Sequence, residues 1–172
     1  MMSEYPQFFT STIFLWKKLL VKDKYKDIIV ESLRFLVKEN RVVVYGFVIM
    51  PNHIHLIWQM REGINPSHLQ RDFLKYIAQQ IRFDLKNNHP QVLEHFKVDL
   101  KDRSYQIWEN RPLSIPLWSQ TVFKQKLDYI HKNPIQERWK LADTEEQYYY
   151  SSAKYYLLNE DDFGFITHYK HS

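Results

Sequence analysis

The amino-acid sequence predicts an α+β fold: a ferredoxin-like antiparallel sheet with its two main helices on one face and the other face left for function. Three observations predict it. Strand-like and helix-like segments follow one another in the order β, α, β, β, α, β, α. Two apolar strand segments are separated only by a Pro-Asn turn, which makes a hairpin. The segments flanking that hairpin carry apolar residues at helical spacing along one side.

The first element, "QFFTSTIFLW" from Gln7 to Trp16, is rich in aromatic and β-branched residues and reads as a strand. From Asp23, a candidate N-cap, apolar residues at Tyr25, Ile28, Ile29, Phe35 and Leu36 recur at helical spacing, with Ser32 a polar exception. "VVVYGFVI" (Val42 to Ile49) is apolar on both faces, as expected of a central strand. Pro51 and Asn52 form the turn, and His53 to Met60 the returning strand. Asn65 is placed to cap a second helix with Pro66 at its first position. Its buried row is Leu69, Phe73, Ile77, Ile81 and Leu85. Residues 87 to 104 are polar and patternless and read as a loop. "SYQIW" reads as a strand, "NRPLSIP" as a linker, and "SQTVFKQKLDYIHK" as a third helix with Ser119 near its cap. Residues 140 to 172, including "YYYSSAKYYLL", read as a C-terminal extension of a single domain over 1–172.

At 172 residues the chain buries enough surface for one core and is marginal for two. Aromatic residues make up 16 %, with 12 Tyr, 11 Phe and 5 Trp, an excess of flat side chains over an ordinary composition. Lys and Arg number 24 against 20 Asp and Glu, a net charge of +4 that suits a polyanionic partner. Cysteine is absent, which excludes disulfides and thiolate metal sites; any metal must be held by His, carboxylate, amide or water. No stretch approaches the roughly 18 apolar residues of a membrane span, and the N-terminus lacks a leader pattern, so the expected location is the cytoplasm.

The chemistry-bearing stretch is "MPNHIHLIW". Side chains alternate along a strand, so His53 and His55 share a face about 7 Å apart along the backbone. The outward row is His53, His55, Ile57 and Gln59; Ile54, Leu56, Trp58 and Met60 point toward the helices. A His-x-His pair alone is weak evidence for a metal, since histidine tolerates exposed strand faces. The third helix adds to it. In "KLDYIHKNPIQ", Tyr129 and Asn133 are four residues apart and so stand on one helix face, while Phe123, Leu127 and Ile130 form the core row. Pro134 disfavours helix at the residue before it, ending the helix near Asn133 and freeing its amide. His131 lies about 200° round the helix from Tyr129 and reads as structural or facing a polyanionic partner, not as a ligand.

These residues resemble a known family. "YGFVIMPNHIHLIW" is similar to the metal-binding strand of the single-tyrosine, insertion-sequence-200-like transposases of the HUH endonuclease superfamily. "LDYIHKNPIQ" and "YYYSSAKYY" resemble two further motifs of the REP-associated tyrosine transposase branch. The likeness spans roughly Thr10 to Tyr156. After "NP" that branch usually continues with a small residue and a glycine before an apolar pair, whereas Gln136, Glu137, Arg138 and Trp139 follow here.

The resemblance implies His53, His55 and Asn133 as ligands of a divalent metal, Mg²⁺ or Mn²⁺, and Tyr129 as the nucleophile. It implies single-stranded DNA next to a hairpin as substrate and a 5′-phosphotyrosine intermediate. Candidate DNA contacts are Arg71, Lys75, Arg82 and Lys86 on the second helix and Lys124, Lys126 and Lys132 around the nucleophile. The family includes dimers that trade nucleophile helices as well as monomers, so a homodimer stays open. Two readings compete: a hairpin-binding protein derived from such an enzyme that no longer cuts, and a metal hydrolase unrelated to DNA. The second is weakened because no acid lies between Arg41 and Arg61.

Overall fold

The computed structural model describes residues 5–171. Residues 1–4 and 172, the ends of the domain expected over 1–172, lie outside the described residues. Four strands, β1 (Gln7–Thr12), β2 (Val42–Ile49), β3 (His53–Met60) and β4 (Leu113–Pro116), form one sheet in the order β2-β3-β1-β4. Every neighbouring pair is antiparallel. With α1 (Asp23–Lys38) between β1 and β2 and α2 (Pro66–Asn88) between β3 and β4, this is the ferredoxin-like arrangement.

The sheet is covered on both sides. Ile54, Leu56, Trp58 and Met60 of β3 enter one core with Tyr25, Ile29 and Leu33 of α1 and the α2 row Leu69, Phe73, Ile77, Ile81 and Leu85. On the opposite face Phe8, Val43, Tyr45, Val48 and Ile57 pack beneath Phe123, Leu127 and Ile130 of α4 (Gln120–Lys132). The two long helices therefore share one face, and α4 occupies part of the other. The expected caps form: the Asn65 side chain accepts from the His68 N–H, and Ser119 from the Val122 N–H.

A bulge in β2 aligns the strand with α4. Val44 pairs with Trp58 but Gly46 with Ile57, so Tyr45 is an extra residue and the alternation of faces reverses there. Gly46 sits directly under α4. A Cβ at this position would meet Leu127 Cδ1 at 2.7 Å and Ile130 Cδ1 and Ser152 Oγ at 3.3 Å, so only glycine lets helix and strand approach this closely.

Several elements differ from the sequence expectation. β2 is not central: it is an edge strand whose outer side is closed by the C-terminal segment. Tyr150 O accepts from the Ile49 N–H, Phe47 O from the Ser152 N–H and Val44 O from the Thr167 N–H. Its apolar faces on both sides reflect two cores, and its edge is protected by the later chain. Tyr150, Phe163, Phe165 and Ile166 enter the main core. "SYQIW" makes only isolated bridges, Tyr105 with Lys97 and Trp108 with Ile13; the fourth strand is instead Leu113–Pro116, inside the expected linker. A short edge strand can end in proline because nothing needs its N–H. β1 stops at Thr12, and Phe14–Trp16 forms a 3₁₀ turn. Asp23 opens α1 but does not cap it; Lys22 holds the cap position without a side-chain bond. Residues 87–104 are not featureless, since α2 runs to Asn88 and α3 (Pro90–Glu94) follows, with Leu93 and Phe96 in the core. The last α-helix among the described residues, α5 (Ala153–Leu158), starts just after Ser152, whose N–H bonds to Phe47 O on the β2 edge.

Candidate metal and nucleophile site

Alternation along β3 places both imidazoles on the α4 face, with ring centroids 4.7 Å apart. Each ring is oriented through Nδ1. His53 Nδ1 lies 2.7 Å from Asn52 Oδ1, and Asn52 is itself oriented because its Nδ2 donates to Trp16 O at 3.3 Å. His55 Nδ1 lies 2.7 Å from Thr10 Oγ1, the residue directly opposite it on β1. Phe8, one pair further along the same face, stacks on the His55 ring at 5.3 Å and 19°. Where Asn52 and Thr10 accept from Nδ1–H, both Nε2 atoms carry lone pairs free to bind a metal.

α4 ends over these rings. The helix closes at Lys132, and Asn133, fully buried, begins a 3₁₀ turn with Pro134. Asn133 Oδ1 lies 3.0 Å from His53 Nε2. One turn earlier, the Tyr129 ring stands 5.4 Å from His55 and 6.3 Å from Phe8, edge-on to both, and is 41 % exposed. Lys126 lies beside it, its Nζ 4.9 Å from the Phe8 ring centroid and 5.9 Å from that of Tyr129. His131 turns the other way and is buried, its Nε2 2.7 Å from Ser152 Oγ, so it anchors α4 to the C-terminal segment.

Burial lowers the His53 pKa, opposed by its hydrogen bond to Asn133 and reinforced by the Arg138 charge. Burial, together with the positive charge of His53 and Lys126, pushes His55 down to about 3. Both rings are thus neutral at neutral pH, the state a metal requires. Among the described residues no three His, Cys, Asp or Glu side chains cluster within metal-binding reach, so a third protein donor here has to be an amide. A cation between His53 Nε2 and Asn133 Oδ1 satisfies two facing lone pairs, although turning the Asn133 amide would do so as well. His55 Nε2 and Asn133 Nδ2 are both buried without a partner, and a cation would satisfy the first of these. Two imidazole nitrogens and an amide oxygen are a donor set suited to a divalent transition ion and acceptable to Mg²⁺.

Among the expected DNA contacts, Lys126 is adjacent to Tyr129 and Lys132 ends the same helix. Arg71, Lys75 and Arg82 lie on α2, which packs against the sheet face opposite the histidines. Arg71 contacts Asp72, and Arg82 lies over the Tyr105 ring. A cavity of about 580 Å³ between α1 and α2 also lies on that far side, lined by neither histidine. The structure adds Thr10, Phe8, Asn52 and Trp139, whose ring is 5.9 Å from that of His53. Asn52 was visible in sequence only as a turn former. Thr10 carried no signal, since its register opposite His55 is set by pairing across more than forty residues.

No family profile and no curated protein matches the chain. Among solved structures it is similar to a REP-associated tyrosine transposase bound to a REP hairpin. The TM-score is 0.61 and the identity 19 %, over 87 % of this chain and 76 % of that one. A protein from Deinococcus radiodurans R1 that has been suggested to be a transposase aligns over 74 % of this chain and 88 % of its own, with a TM-score of 0.49 and 14 % identity. The chain has the fold of a tyrosine transposase.

Proposed function

We propose that this protein is a metal-dependent single-stranded DNA endonuclease and strand transferase that works through a 5′-phosphotyrosine intermediate at hairpin-flanked sites. The observation that carries the reading is the cluster of the His53 and His55 rings with Asn133, whose Oδ1 lies 3.0 Å from His53 Nε2, beside the partly exposed ring of Tyr129. The hairpin bound to the structural neighbour supports the substrate class.

His53, His55 and Asn133 would hold Mg²⁺ or Mn²⁺, which when bound polarises a scissile phosphate. The residues of the chain do the rest. Asn52 and Thr10 hold the two imidazoles in the tautomer that presents Nε2. α4 holds the Tyr129 ring beside His55, which brings the nucleophile to the same site as the imidazoles. Tyr129 Oη forms a bond to phosphorus and the bond to the 3′ oxygen breaks. The phenolic proton passes to solvent, and the departing oxygen takes one up to leave a 3′-OH. Lys126, beside the ring, offsets charge on the attacking oxygen and the phosphate. One phosphodiester is exchanged for another, so a 3′-OH can reverse the step and rejoin DNA without ATP.

The test uses labelled single-stranded hairpins from DNA flanking the gene, incubated with wild type or Tyr129→Phe in Mn²⁺, Mg²⁺ or EDTA and run on denaturing gels. A protein–DNA adduct that needs both metal and the hydroxyl of Tyr129 is the expected result. An adduct that survives Tyr129→Phe refutes the nucleophile. Tight hairpin binding with no adduct in any metal would instead mark a binding protein that has kept the fold and lost the reaction.

A further inference from the structure

Two segments far apart in sequence meet on the His53 side of the site. The first is "FLWKK" (Phe14–Lys18), between β1 and α1. Leu15 and Trp16 both adopt the left-handed backbone region, at φ 54° and 59°, although neither is glycine. Such a conformation costs about 1 kcal/mol or more for each large L-residue. The strain serves no burial: Leu15 is 59 % and Trp16 67 % exposed. Its effect is to turn the Trp16 indole to solvent while the Trp16 carbonyl stays bound to Asn52, and through it to His53.

The second segment is "ERW" (Glu137–Trp139), just past the 3₁₀ turn Asn133–Ile135 that follows α4. The Trp139 ring lies against His53, and the Trp139 Nε1–H is buried without a partner. Cations from both segments converge on that ring, Lys18 Nζ at 5.8 Å and the Arg138 guanidinium at 5.9 Å from its centroid. Arg138 is near enough to depress the His53 pKa. Both cations are exposed, and among the described residues neither pairs with a carboxylate.

An exposed indole, a second indole beside His53 and two uncompensated cations are the parts from which single strands are bound: bases stack on aromatic faces while cations follow the backbone. We propose that Trp16, Lys18, Arg138 and Trp139 form a nucleotide shelf for the unpaired DNA on the His53 side of the attacked phosphate. Lys18 and Arg138 hold the neighbouring phosphate and the indoles hold its base. Lys126, across the site, takes the strand on the other side. The inference rests on the strand-transferase reading for its substrate. It adds a subsite built from residues outside the metal and nucleophile set.

The experiment reads binding apart from chemistry by using the full chain with Tyr129→Phe. A fluorescent oligo-thymidine strand of about 16 nucleotides, carrying 5-iododeoxyuridine, is titrated by anisotropy across a salt series and then photo-crosslinked. Lys18→Ala and Arg138→Ala are each expected to reduce the slope of log affinity against log salt by about 0.7, one phosphate contact of a single strand. Trp16→Ala, at an exposed position where truncation removes no core packing, should weaken binding roughly tenfold through lost stacking. Crosslinked peptides should contain Trp16 or Trp139. Unchanged slopes, crosslinks confined to other elements, or no strand binding at all would each overturn the shelf. The strand-transferase reading is scored separately, by the adduct assay with unaltered Tyr129.

Discussion

Ser152→Ala is expected to destabilise the protein by about 3 kcal/mol, far more than a one-oxygen deletion normally does. Ser152 is fully buried at the junction of three elements. Its Oγ accepts from the Phe47 N–H at 2.9 Å and lies 2.7 Å from His131 Nε2, while its own N–H donates to Phe47 O at 2.9 Å. The residue thus closes the β2 edge and fastens α4 to it. Alanine keeps the backbone bond and nearly all the packing but strands two buried polar groups, at about 1 to 3 kcal/mol each. The assay is urea unfolding at pH 7 in EDTA, with His131→Leu and the double variant completing a cycle. In the double variant only Phe47 N–H is stranded, so the two single losses should exceed the double loss by about 1 kcal/mol or more. A Ser152→Ala loss below about 0.5 kcal/mol, or strict additivity, would refute the account of this junction.

Other outcomes follow from the same geometry. Asn52→Ala strands the buried His53 Nδ1, which should cost about 1 to 3 kcal/mol of stability and weaken Mn²⁺ binding about 10- to 100-fold by calorimetry on the folded protein; unchanged affinity would contradict its orienting role. Gly46→Ala forces its Cβ against Leu127 and Ile130, which should cost about 1 to 3 kcal/mol and slow adduct formation because α4 must shift; a fully stable, fully active variant would show that the helix has slack. Hydrogen bonds from Lys24 and from the Tyr25 hydroxyl hold the Asp84 carboxyl at about 2. A depressed carboxyl stabilises the fold above its ordinary range near 4 and loses that contribution as pH falls through its folded value. Asp84→Asn should therefore cost about 1 kcal/mol at pH 7 after solvent screening, and the gap should close toward pH 2; a gap independent of pH would refute the ion-pair explanation.

Local pattern determined much of this protein. The period-2 row of β3 placed the histidines on one face and Ile54, Leu56, Trp58 and Met60 on the other, and the core shows that division. Helical spacing placed Tyr129 and Asn133 on one side of α4, and Pro134 marked where it stops. The order of elements was enough for the ferredoxin-like topology. Whatever depends on contacts between distant segments was decided only by the tertiary structure. β2 looked central because its residues are apolar on both faces, yet it is an edge closed by a segment about a hundred residues later. Leu113–Pro116 became a strand through pairing with β1, against its own linker-like composition. Thr10 meets His55 through strand register, and Trp139 meets His53 through the path the chain takes after Pro134. Periodicity records which way a side chain faces within its own element; which atoms stand opposite it is set when the elements pack.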